Sequence, residues 1–169
     1  MKKVLELKKV SVHFGGIKAV QDLDLHLHEG EILALIGPNG AGKTTAFNVI
    51  TGVYQPTFGE VLAFGQSLIG LKPFEINARG LARTFQNIRL FKNLTVRENI
   101  LIALDRNANK QTWKSLLRPP SFFESEGKKN AQVDELLDIF QLKDASEETE
   151  AKSLPYGVQR RLEIARAIA

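Results

Sequence analysis

The chain has 169 residues, about one domain's worth, and its 43% hydrophobic content is ordinary for a buried core. Its 23 basic and 19 acidic residues leave a formal charge of +4, too mild and too scattered to imply a nucleic-acid partner. It has no cysteine, which excludes disulfides and thiolate metal sites.

No apolar run approaches the roughly 18 residues of a membrane span. Met1-Lys2-Lys3-Val4-Leu5-Glu6 lacks the uninterrupted apolar stretch of a signal peptide, so a cytoplasmic protein is expected, with any membrane contact made through a partner.

The first 36 residues read as strands. Val10, Val12 and Phe14 alternate with Lys9, Ser11 and His13, and Leu23, Leu25 and Leu27 alternate with Asp22, Asp24, His26 and His28. This is a half-buried antiparallel pattern. His26 and His28 share a strand face with Asp24, but without a second ligand cluster they read as a solvated face rather than a metal site. Glu29-Gly30 is the expected turn into Ile32-Leu33-Ala34-Leu35-Ile36, a continuous apolar run that predicts a buried parallel strand.

That run ends in Gly37-Pro38-Asn39-Gly40-Ala41-Gly42-Lys43-Thr44, which fits the phosphate-loop pattern G-x-x-x-x-G-K-[ST] at every fixed position. Such a match arises by chance in roughly 0.5% of chains this long, from average residue usage. Glycines let several backbone N–H groups turn inward on one anion. The Lys43 ammonium is placed for the β- and γ-phosphates, and the Thr44 hydroxyl can ligate Mg²⁺. A helix predicted over Thr45 to Thr51, with Gly52 beyond its end, would aim its N-terminal dipole at the same site. Strand, glycine loop and helix are the context the motif requires.

Further on, Gln55-Pro56-Thr57-Phe58-Gly59 is a turn and Glu60 to Phe64 a short strand. Pro73 opens a short helix that ends near Gly80, and Leu81 to Phe85 is expected to return to the sheet. Thr95 is a predicted N-cap, with Glu98 at the capping-box position of a helix through Leu104. Asp105 to Lys129 reads as an irregular insertion with a local contact among Trp113, Leu116 and Leu117. Val133, Leu136, Leu137 and Phe140 make an i, i+3, i+4, i+7 stripe, so Ala131 to Phe140 is a predicted amphipathic helix. Lys143 to Lys152 is a charged loop. A last helix is expected from about Val158, with Val158, Leu162 and Ala165 on one face. Neither repeats nor heptads occur. Asn109-Lys110-Gln111-Thr112 lacks the Asp that would read guanine.

The tail, Leu154-Pro155-Tyr156-Gly157-Val158-Gln159-Arg160-Arg161-Leu162-Glu163-Ile164-Ala165-Arg166-Ala167, resembles the ABC-ATPase signature L-S-G-G-Q-x-x-R and its helix. Leu154, Gly157 and Arg161 match; Pro155, Tyr156 and Val158 stand where Ser, Gly and Gln are usual. Arg83-Thr84-Phe85-Gln86-Asn87 resembles the glutamine loop of the same family. Phe14 resembles the aromatic that stacks on adenine just before the phosphate-loop strand. Asn87 to Asn99 resembles the stretch that contacts membrane subunits. The Arg-Thr-Phe-Gln-Asn loop, with the Tyr-Gly and Arg-Arg-Leu-Glu-Ile-Ala-Arg signature, is most similar to the ATP-binding subunit of bacterial branched-chain amino acid ABC transporters.

The resemblance implies an α/β P-loop NTPase fold. An antiparallel β subdomain with the phosphate-loop core is expected over residues 1–86, and a helical subdomain with the signature over 87–169. It implies ATP and Mg²⁺ as cofactors. Nucleotide is expected on Phe14, Gly37, Pro38, Asn39, Gly40, Ala41, Gly42, Lys43, Thr44 and Thr45. Tyr156 and Gly157 are expected to contact the partner's nucleotide, with Lys43 and Gln86 catalytic and Thr44 and Gln86 at the metal. Implied partners are a second ATPase subunit (identical or not), two integral membrane permeases and, indirectly, a substrate-binding protein, at the cytoplasmic face of the cell membrane.

The family pattern continues past the signature helix with an apolar strand ending in Asp-Glu and a later His, which do not follow Ala169. The expectation is a truncated cassette with an incomplete core sheet, weak nucleotide binding and very slow hydrolysis. Two alternatives stay open: a non-catalytic nucleotide-binding or interaction fragment, and an ATPase subunit for another small solute such as urea. A soluble ABC ATPase of DNA repair or translation is disfavoured by the lack of heptads and of a second phosphate loop.

Overall fold

Alternating apolar residues over the first 28 positions pair into a long antiparallel hairpin. In the computed structural model, which describes residues 2–105, 120–143 and 148–169, strand β1 spans Lys3–Phe14 and β2 spans Ile17–His28. Leu7 faces Leu25, Val10 faces Leu23 and Val12 faces Val20. Register shifts interrupt the ladder on either side of Val10. There Lys9 and Asp22 adopt positive φ, and Lys9 N–H turns to donate to Asp24 Oδ1 at 2.9 Å. Such bulges bend the strand locally.

Two compact units result, Met1–Ala82 and Arg83–Ala169, which place Gln86 in the second unit. In the first, β3 (Phe58–Ala63) and β4 (Gln66–Ser67) complete a sheet in the order β2-β1-β3-β4, all antiparallel. Helix α1 (Lys43–Ile50) contributes Val49, and α2 (Pro73–Ala78) contributes Ile76, to a core with Leu7, Val10, Val12, Val61, Ala63 and Leu68. Gly52 closes α1 at φ 71°; its N–H reaches Val49 O and the Val53 N–H reaches Asn48 O, the expected left-handed stop.

Two expectations in this region fail. The run Ile32 to Ile36 is not a strand: Ile32 is 98% and Ile36 89% exposed, and no ladder forms along it. A buried parallel strand needs neighbours that take up its N–H and C=O groups, and among the described residues none lies beside it. Leu81 to Phe85 likewise forms no strand. The strand expected at Glu60 to Phe64 begins two residues earlier, at Phe58, and stops before Phe64, whose φ is +50°.

The second unit is helical. Helix α3 (Val96–Leu104) starts as its sequence demands: Thr95 Oγ1 accepts from Glu98 N–H at 3.2 Å while Glu98 Oε2 accepts from Thr95 N–H at 2.8 Å. Helix α4 (Pro120–Ile139) begins well before the expected Ala131, with proline at a helix start, where its missing N–H costs nothing. The irregular reading of Asp105 to Lys129 therefore fails from Pro120 onward. The expected contact of Trp113, Leu116 and Leu117 lies outside the described residues. A 3₁₀ turn (Ala151–Ser153) leads to α5 (Tyr156–Ile168), which begins at Tyr156 rather than Val158.

Val96, Ile100, Val133, Leu137, Leu142 and Leu162 form its core, so the stripes read from sequence on α4 and α5 are the buried faces. Truncating one of the fully buried leucines to alanine costs about 2–5 kcal/mol. Asn99 is the polar member. Its Oδ1 accepts from Phe91 N–H at 3.0 Å, and its Nδ2 donates to the carbonyls of Phe91, Leu94 and Thr95 at 3.0, 3.3 and 2.9 Å. The loop before α3 is thus held from inside.

Candidate functional site

The phosphate-loop residues lie on an exposed turn that feeds directly into α1. Gly40 and Gly42 take φ of 84° and 80°, a backbone open to glycine and costly to other residues. Gly42 has a second reason to lack a side chain. A Cβ there would stand 2.4 Å from the Ala19 carbonyl oxygen of β2, so the glycine lets the helix start pack against the sheet.

Intrahelical bonding begins with Ala46 N–H donating to Gly42 O at 2.9 Å. The first-turn amides of Lys43, Thr44 and Thr45 therefore have no partner within the helix, and the helix dipole adds positive potential at the same end. No acidic residue sits in that first turn. Lys43 Nζ donates back to the carbonyls of Gly37 and Pro38, at 2.5 and 2.6 Å, and so folds over the loop. Thr44 is exposed and Thr45 half-buried, while Pro38, Asn39 and Ala41 are exposed along the turn. First-turn amides, a helix N-terminus and one ammonium, with no acidic residue in that turn, have the chemistry to hold an anion.

Phe14 ends β1, on the hairpin whose return strand supplies the Ala19 carbonyl. Phe14 is 45% exposed, and its ring meets Tyr54 edge-on, with centroids 5.2 Å apart at 74°. Sequence reasoning missed Tyr54. Its only signal is its place just after α1.

In the second unit Gln86 and Asn87 are exposed at a bend. Tyr156 is 71% exposed and opens α5, with Pro155 as a cap that offers no side-chain hydrogen bond. Nothing lies within 4 Å of where a Gly157 Cβ would stand. Gln159 Nε2 donates to Leu154 O at 2.8 Å and so closes the turn. Also missed from sequence was Glu163, which reads as one more charge on an amphipathic helix but is buried. Its carboxylate pairs with Arg160 Nη1 at 2.5 Å.

His26 is exposed and His28 half-buried on β2. The His26 and His28 rings meet edge-on at 5.0 Å, and His28 Nδ1 lies 3.1 Å from Glu31 Oε2. The Glu31 carboxyl is held below its usual range, first by the His28 backbone N–H and then by its ring. Among the described residues no group of three His, Cys, Asp or Glu is placed to hold a metal ion.

The profile of the ABC transporter family matches residues 20–169. The chain belongs to the ABC transporter family. It is 41% identical, over 98% of its length, to the high-affinity branched-chain amino acid transport ATP-binding protein BraF of Pseudomonas aeruginosa. The same identity and coverage hold for its counterpart LivG of Escherichia coli. The chain spans 64% of the length of each of these relatives. Its fold is that of ABC ATPase cassettes. A dimeric ATP-binding cassette in a post-hydrolysis state, bound to ADP and Pi, superimposes with a TM-score of 0.73 at 27% identity. That match covers 97% of this chain and 68% of the other.

Proposed function

We propose that this chain is the nucleotide-binding part of an ATPase subunit that drives import of branched-chain amino acids. The observation that supports the reading is the loop itself: left-handed Gly40 and Gly42 lead into the first turn of α1, over which Lys43 Nζ folds back to the Gly37 carbonyl. The names of the similar proteins supply the solute class, which no residue of a nucleotide site would recognise.

ATP would supply the transferable phosphoryl group, and Mg²⁺ would offset the charge on its phosphates. Gly37 to Thr45 would hold the phosphates through backbone N–H groups. Lys43 would release its bonds to Gly37 and Pro38 and turn its charge to the β- and γ-oxygens. The Thr44 hydroxyl would ligate Mg²⁺, and the Phe14 ring would stack on adenine. Gln86 would reach the metal and the attacking water. Tyr156 and Gly157 would present the start of α5 to nucleotide held by a second ATPase subunit, where backbone N–H groups must replace the hydroxyl of the usual signature serine. Pro155, lacking an N–H, cannot replace it.

Partners on this reading are that second subunit, two membrane permeases contacted through the region of residues 87–99, and a substrate-binding protein acting through them. The subunit would sit at the cytoplasmic membrane face; among the described residues no helix is long and apolar enough to cross a membrane.

Uptake of leucine, isoleucine and valine by vesicles carrying the reconstituted complex tests this. Lys43→Ala should reduce ATP-dependent uptake by at least tenfold. Uptake of another solute alone would refute the substrate class, and uptake indifferent to Lys43→Ala would refute the role of the loop.

A further inference from the structure

Residues 85–89 form no regular secondary structure, so their backbone groups need partners from elsewhere. Three side chains of α5 supply them. Glu163 Oε1 accepts from the N–H groups of both Phe85 and Arg89, at 3.4 Å each. Arg160 Nη1 donates to Phe85 O at 2.6 Å, and Arg166 Nη1 donates to Arg89 O at 2.5 Å. The N–H and C=O of both residues that bracket Gln86, Asn87 and Ile88 are therefore bound by one helix face. Stacking reinforces the grip: the Arg89 guanidinium lies 4.1 Å over the Phe85 ring, and that of Arg166 lies 4.8 Å over Phe91.

We propose that Glu163, with Arg160 and Arg166, is a positioning residue that locks the Gln86 loop to the helix beginning at Tyr156 and Gly157, so that the two move as one body. Packing alone does not account for a glutamate here. Its side chain is 6% exposed, and a buried carboxylate is costly unless it is paired and hydrogen-bonded. An apolar residue would fill the same space without that penalty. What an apolar side chain cannot provide is one acceptor shared by two N–H groups four residues apart, here with Arg160 balancing its charge. The ends of the loop are pinned while Gln86 and Asn87 project outward. Any shift of α5 then carries Gln86 with it, and the signature turn and the glutamine report on each other without a contact of their own. This rests on the proposed roles of Gln86 and Gly157 at nucleotide.

The test needs no nucleotide, so its failure is distinct from a failure to bind ATP. Because the chain has no cysteine, Asn87→Cys with Tyr156→Cys gives one spin-label pair on two exposed positions of the second unit. The pair should give a single narrow distance distribution, and NMR hydrogen exchange should show the Phe85 and Arg89 amides at least tenfold slower than Gln86. Glu163→Ala should abolish that protection and broaden the distribution, while the amides of Ile100 and Leu137 keep their protection. Glu163→Gln, which retains the acceptor, should hold exchange within about threefold of the parent. A narrow distribution with unchanged Phe85 and Arg89 exchange in Glu163→Ala overturns the proposal. If Glu163→Ala unfolds the second unit, Arg160→Ala decides on the same two readouts, and an unchanged result there overturns it equally.

Discussion

Replacing Gly42 by alanine isolates the price of bringing a helix start against a strand. The residue sits at φ 80°, where a Cβ costs roughly 1–2 kcal/mol. That Cβ would also stand 2.4 Å from the Ala19 carbonyl oxygen and 3.0 Å from Val20 Cγ2. The first neighbour is backbone in a paired strand and cannot swing aside, so relieving the overlap adds about 1–3 kcal/mol. Gly40 is the internal control. Its φ is 84°, yet nothing lies within 4 Å of its Cβ position, so Gly40→Ala should cost only the conformational part. Urea unfolding of the two variants should therefore place Gly42→Ala about 2–5 kcal/mol below the parent and Gly40→Ala about 1–2 kcal/mol below it. In a unit of this size each kcal/mol lowers the melting temperature by about 4–8 °C. Equal losses for the two variants would refute the argument that Gly42 is there for close approach.

Asn99→Leu should destabilise the second unit by about 2–4 kcal/mol in chemical denaturation, because it leaves the Phe91 N–H and several carbonyls without their buried partner. Thr95→Ala, which removes the cap of α3, should cost about 1 kcal/mol in the same assay. Gln141→Gly should stabilise by about 1 kcal/mol, since Gln141 ends α4 at φ 51° with the Leu142 N–H bonded back to Leu137 O. Acid titration of stability should show the first unit weakening as pH falls through the lowered pKa values of Glu6 and Glu31. Glu6 is held below its ordinary 4.5 by Lys3 and then Lys8, and Glu31 by His28, so both stabilise above that value and lose the effect once protonated. Glu31→Gln should flatten that acid limb.

Much of the local fold was legible because its signals are short-range. Alternation announced β1 and β2, Thr95 with Glu98 announced α3, and the leucine stripe announced the buried face of α4. The glycine loop was legible as a turn into a helix, whereas the close approach at Gly42 was not. What failed depended on partners distant in sequence. Ile32 to Ile36 has the composition of a central strand, but a strand is made by its neighbours, and composition does not reveal whether they are at hand. Asp105 to Lys129 reads as irregular, whereas Pro120 opens a helix. Glu163 was invisible for the opposite reason. Its charge reads as surface, and only the three-dimensional course of residues 85–89 shows the N–H groups that it serves.

Titration of the chain with Mg²⁺-ATP, read by calorimetry beside Lys43→Ala, tests the central claim most directly. Saturable binding that weakens at least tenfold in the variant, and that inorganic triphosphate displaces better than adenosine does, is the predicted result. Binding that is absent, or equally tight without the Lys43 ammonium, would contradict the assignment of Gly37 to Thr45 as the phosphate cradle.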